Sequence, residues 1–143
     1  MSFSTRLSLV WVGFWLLAGC TDQRLSVSDA WVRDPVPGSD KSVAYFSLHN
    51  RTGEAVTLLG ARAENIRAIE MHTTTADADG VLRMRRLSSV FLAPNETVAF
   101  APRGRHLMLF GIESLEAPLS IQLEFDGGVR LMADFQVRGL LDE

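Results

Sequence analysis

A single cysteine in 143 residues excludes an internal disulfide, a cysteine-rich zinc knuckle and a dithiol redox pair. Lysine is equally scarce, since 13 of the 14 basic residues are arginine. Set against 17 acidic residues they leave a formal charge of −3. No basic excess exists to neutralise a phosphate backbone, which argues against nucleic-acid binding. The apolar run Leu7 to Leu17 has eleven residues, short of the roughly 20 that a helix needs to span a bilayer. The length suits one compact domain. Against these shortages stand five methionines, the one soft side chain in surplus.

The amino-terminal twenty residues read as a targeting segment. Arg6 is the only charge before Asp22, and the apolar run after it ends in Leu17-Ala18-Gly19-Cys20. A positive start, a short apolar stretch and small residues describe a secretory signal, and the last four residues resemble the bacterial lipobox, whose cysteine is lipidated. Residues 1–19 are expected to be signal, 20–25 a lipidated Cys20 with a short tether, 26–138 the folded domain and 139–143 a tail. Without Arg6 the remainder has 13 basic against 17 acidic residues. With Thr21 and not aspartate after the cysteine, the segment resembles lipoproteins that a Gram-negative host sorts to the outer membrane, facing the periplasm. If the only thiol carries lipid, a blue-copper centre and a cysteine nucleophile are both excluded.

From Ser26 onward the pattern predicts an all-β domain. Expected strands are Ser26 to Arg33, Val43 to Asn50, Ala55 to Ala61, Ala68 to Thr74, Val81 to Leu87, Thr97 to Ala101, His106 to Ile112, Leu119 to Phe125 and Val129 to Val137. Turn residues separate them, as at Asp77-Ala78-Asp79-Gly80 and Asp126-Gly127-Gly128. Seven to nine strands at this spacing fit a sandwich or barrel. Arg62 to Arg67 is ambiguous and has room for one helical turn. Alternation assigns Ala44, Phe46 and Leu48 to the core, and likewise Ile121, Leu123 and Phe125.

Two histidines and two methionines stand at chemically useful positions. His106 and Met108 are two apart, so on a strand they share a face. His72 and Met84 flank the Asp77–Gly80 turn. A three-residue loop centred on Ala78 sets them directly opposite. One centred on Asp79, with Gly80 as the left-handed residue, makes them diagonal neighbours on one face, and a four-residue loop puts them on opposite faces. Imidazoles and thioethers together form a soft neutral set that suits Cu(I), although a single strand methionine is usually packing.

His72, eleven intervening residues, Met84, twenty-one more, then His106-Leu107-Met108 resembles the signature of the PCuAC periplasmic copper chaperones. Further similarity lies in Ala30-Trp31-Val32-Arg33, Ala44-Tyr45-Phe46-Ser47-Leu48-His49-Asn50, Gly80-Val81-Leu82-Arg83-Met84-Arg85 and Gly104-Arg105-His106-Leu107-Met108-Leu109. The resemblance implies a cupredoxin-like Greek-key β-sandwich that binds Cu(I) through His72, Met84, His106 and Met108. It also implies a copper-accepting envelope partner such as a cytochrome c oxidase subunit or a Sco-type protein. Many members have methionine directly after the first histidine; here Thr73 follows and Met71 precedes, so Met71 is expected to pack inward. The His- and Met-rich tail of some members has no counterpart in Gly139 to Glu143, and His49 is expected to be structural or on the surface.

Other readings compete. A metal-free β-sandwich lipoprotein acting as an interaction or assembly module would leave the histidines incidental. A hydrolase using His72 or His106 as base lacks a nucleophile-elbow context at Ser88, Ser89 or Ser114.

Overall fold

The computed structural model describes residues 24–139; the targeting segment, Cys20 and the end of the tail lie outside them. Ten strands fill this region: β1 (Leu25–Arg33), β2 (Lys41–Asn50), β3 (Val56–Arg62), β4 (Ile66–Ala76), β5 (Leu82–Arg86), β6 (Val90–Leu92), β7 (Thr97–Phe100), β8 (Arg105–Ile112), β9 (Leu119–Phe125) and β10 (Arg130–Arg138). The sequence leads to nine of them. β6 escapes it because three residues between Ser89 and Ala93 give no readable period, yet Val90 and Leu92 are both buried. Arg62 to Arg67 holds no helix. A turn with Asn65 at φ 59° separates β3 from β4.

The strands run β5-β4-β8-β2-β1-β10-β9-β3-β6, and a bridge from Ala61 to Ile69 joins β3 back to β4, closing the sandwich into a barrel. One edge of β2 is shared, by β8 along Lys41–Ala44 and by β7 along Phe46–His49. Inside lie the alternate residues Ala44, Phe46 and Leu48, and Leu119, Ile121, Leu123 and Phe125, all buried. Phe46 stacks on Phe100 at 4.3 Å and meets Phe135 edge-on at 5.5 Å. Burying such rings contributes about 1.5–3 kcal/mol each.

A bulge in β1 re-aims a large aromatic side chain. The register against β2 slips by one residue between Ser28 and Trp31, where Asp29 takes φ 53°. The extra residue turns Trp31 to the outer face, opposite Tyr45, while Val32 faces the core.

Candidate metal site

β8 alternates cleanly. Leu107 and Leu109 are wholly buried in the core, so His106, Met108 and Phe110 leave from the other face. β4 lies antiparallel beside it, with His72 paired to His106 and Glu70 to Met108. Pairing therefore puts the two histidines side by side on the outer face, their ring centres 5.9 Å apart. Met71, between Glu70 and His72, is 4% exposed in the core and is packing, as expected.

The β4–β5 turn decides where Met84 goes. Thr74 pairs with Met84 and His72 with Arg86, the diagonal register of the three-residue loop centred on Asp79. Asp77 N–H donates to Val81 C=O at 2.9 Å and Gly80 N–H to Asp77 C=O at 3.0 Å, with Gly80 at φ 78°. The Asp77 carboxylate accepts from the N–H groups of Asp79 and Val81 and from Arg83 Nε. These bonds, the Arg83 contact foremost, hold its pKa below the usual range.

Three of the four residues singled out by spacing come into mutual proximity. His106 Nε2 lies 3.3 Å from Met84 Sδ, and His72 faces the His106 ring. Met108 shares their face by register, opposite Glu70 and Val43. Among the described residues, no three His, Cys, Asp or Glu side chains form a metal-sized group.

Hydrogen bonds identify the free nitrogens. His106 Nδ1 lies 3.1 Å from Gly104 C=O; a carbonyl only accepts, so Nδ1 carries the proton and neutral Nε2 turns a bare lone pair toward the Met84 sulfur. His72 Nε2 lies 2.9 Å from Glu70 Oε2, and Arg86 Nη1 lies 3.2 Å from Glu70 Oε1. Nε2 thus donates to the carboxylate, leaving His72 Nδ1 bare, buried and without a hydrogen-bond partner. Burial pushes the His106 pKa below its ordinary value, against the opposing effect of its bond to the Gly104 carbonyl. The hydrogen bond from His72 holds the Glu70 carboxyl low, aided by Arg86.

Sequence reasoning misses Glu70, although its signal is present: two residues before His72 on a strand, it shares that face. Tyr45 can be placed only in three dimensions. Its ring lies 6.3 Å from His106 and 4.8 Å from Trp31, walling the buried side of the cluster, and burial raises its hydroxyl pKa. His49 is structural, bonded to Ser28 Oγ and Thr97 Oγ1 at 2.8 and 2.9 Å.

The chain matches the family model described as "Putative lipoprotein LpqE-like" over residues 25–137. It is 31% identical over 108 residues to "Putative lipoprotein Lxx21020" of Leifsonia xyli subsp. xyli, covering 73% of this chain and 63% of that protein. Among solved structures, the copper-bound PCuAC domain from PmoF2 aligns at TM-score 0.68 and 21% identity, covering 81% of this chain and 93% of that one. CuI-DR1885 from Deinococcus radiodurans aligns at TM-score 0.58 and 22% identity, over 79% and 77%. At such identities the likeness establishes the cupredoxin-like β-sandwich fold. By its sequence the chain belongs to the LpqE-like lipoprotein family, built on the fold of the PCuAC domains.

Proposed function

We propose that this protein is a copper chaperone that holds one Cu(I) through His72, Met84, His106 and Met108 and hands it to a copper-accepting envelope protein. The observation that carries this reading is the approach of two lone-pair atoms, His106 Nε2 and Met84 Sδ, to 3.3 Å. For a d¹⁰ ion with metal–nitrogen and metal–sulfur distances of about 2.0 and 2.3 Å, a tetrahedral angle sets N and S about 3.5 Å apart. The pair is thus nearly in place to share an ion. The bare, buried Nδ1 of His72 fits the same purpose, because an unpartnered buried acceptor costs about 1–3 kcal/mol unless something binds it.

Thioethers select soft ions, and neutral ligands leave the cargo its charge and permit exchange. That the structural relatives include a copper-bound PCuAC domain and a CuI-DR1885 supports the cargo. The family's lipoprotein description supports anchoring through Cys20. The recipient proposed from the motif is the dinuclear copper centre of cytochrome c oxidase, reached directly or beside a Sco-type protein.

Anaerobic Cu(I) titration against a chromophoric chelator tests the site. One ion per chain is expected, with His106→Ala and Met108→Ala each weakening binding at least tenfold. Parent-like affinity in both variants refutes the ligand assignment. Absence of binding in the parent favours the metal-free interaction module.

A further inference from the structure

β1 starts at one end of the barrel, and hydrogen bonds show what shares that end. Arg51 N–H donates to Arg24 C=O at 2.7 Å, and Asn50 N–H to Glu96 C=O at 2.8 Å. The buried Asn50 side chain donates to the Glu54 and Ala93 carbonyls at 2.8 and 2.9 Å. It thereby ties the end of β2 to the loop before β3 and to the turn after β6. Thr57 N–H donates to the Asp126 carboxylate at 3.0 Å, which brings the β9–β10 turn to the same end.

Apolar side chains are exposed there. Val129, whose C=O accepts from Phe125 N–H at 2.9 Å across that turn, is 49% exposed at the rim. Phe91 is 63% and Leu59 51% exposed. Leu58, Val90 and Leu92 are buried in the core, so Phe91 and Leu59 leave from the outer face. Thr57 pairs with Phe91 and Leu58 with Val90, a register that makes Leu59 and Phe91 diagonal neighbours. Phe91 also stands on β6, the last strand of the sheet order, where an exposed aromatic residue invites unwanted pairing unless something covers it. The charge at this end cancels, with Arg24, Arg51 and Arg130 matched by Glu54, Glu96 and Asp126.

The chain itself says what lies opposite. Cys20 is five residues before Leu25, so the stretch between them reaches at most about 18 Å. A lipid on Cys20 keeps this end within that distance of the bilayer, whereas the opposite end lies about 34 Å away along the ten residues of β2. We propose that Phe91, Leu59 and Val129 form a membrane-contact surface that seats the β1-start end of the barrel in the lipid interface and fixes the orientation of the anchored domain. The anchor rests on the lipidation of Cys20; the surface rests on exposure and position. Apolar side chains of an interfacial segment enter about 5–10 Å, to the boundary of headgroups and acyl chains. With its charges balanced, the contact depends on apolar burial and is insensitive to salt.

The test reconstitutes the lipidated chain in phosphatidylcholine vesicles whose acyl chains are brominated near the headgroup, and reads tryptophan fluorescence as the difference from the parent. Phe91→Trp is compared with Val36→Trp, which lies between β1 and β2 at the opposite end and is 49% exposed. Quenching at position 91 is expected to exceed that at position 36 by at least about twofold, and to be the same near 0.01 M and near 1 M salt. Equal quenching at the two positions, none at 91, or a signal lost at high salt overturns the proposal. In a Val129→Trp chain, adding Leu59→Asp and Phe91→Asp should cut quenching at least about twofold; unchanged quenching overturns it. Dimers in sedimentation that Phe91→Asp dissociates, with no quenching by lipid, assign the patch to a second copy and also overturn it. Mass spectrometry of Cys20 checks the anchor by itself. If Cys20 carries no lipid, that reading falls first, and the chain coupled through its Cys20 thiol to a maleimide lipid then decides the surface separately, absence of quenching at 91 overturning it.

Discussion

At the scale of single residues, the chemistry depends on which nitrogen of each histidine carries the proton. Glu70 sets this for His72 and the Gly104 carbonyl for His106, and such partners of ligand histidines commonly change metal affinity 10–100-fold when removed. Glu70→Leu is therefore expected to weaken Cu(I) binding about 10–100-fold, whereas Glu70→Gln, which keeps an acceptor for Nε2–H, retains most of it. Competition titration measures the loss, and ¹⁵N shifts of His72 report a tautomer change that mere destabilisation would not produce. Protons compete for the same lone pairs. Because the His106 pKa lies below its ordinary 6.5, acid should displace copper from Nε2 only at a pH below that value. A titration in which affinity is already halved well above pH 6.5 would contradict this.

At the scale of elements, the alternation of β8 separates stability from binding. Leu107 lies between two proposed ligands yet is wholly buried in the core. Leu107→Ala is expected to cost about 2–5 kcal/mol in denaturant unfolding, while Met108→Ala costs less than this and removes copper affinity. The β4–β5 hairpin is a second case. An alanine inserted between Arg83 and Met84 shifts Met84 to the opposite face, since strand side chains alternate with period two. Copper affinity should fall as far as in Met84→Ala, with little change in melting temperature because β5 buries none of its residues. The sequence left three loops open for this hairpin: three-residue loops centred on Ala78 or on Asp79, and a four-residue loop. Gly80, able to adopt φ 78° without strain, selects Asp79.

At the scale of the whole molecule, charge and protonation both act against the fold in acid. The His106 pKa is depressed in the folded state, so as pH falls through 6.5 the unfolded chain binds that proton first and stability declines. Glu70 and Asp77 also have lowered pKa values. Their contribution is present above the ordinary carboxylate range and disappears as pH falls through their folded values. Thermal unfolding at pH 7, 5.5 and 3.5 should therefore give successively lower melting temperatures. Cu(I) should raise the value at pH 7, since a ligand bound only by the native state at 100 times its dissociation constant adds about 2.7 kcal/mol.

The amino-acid order alone led to nine of the ten strands and to the inward residues of those around Phe46 and Leu123. Period-two alternation is written locally, and a hydrophobic face must go inside. It also determined that His106 and Met108 share a face. The tertiary structure decided the rest. Pairing of β4 with β8 sets His72 beside His106 across more than thirty residues of chain. The Asp29 bulge brings Trp31 outward to pack on Tyr45 behind His106. Glu70 joins His72 to Arg86. These depend on strand order and register, which arise from how the whole sheet closes and are carried by no single segment.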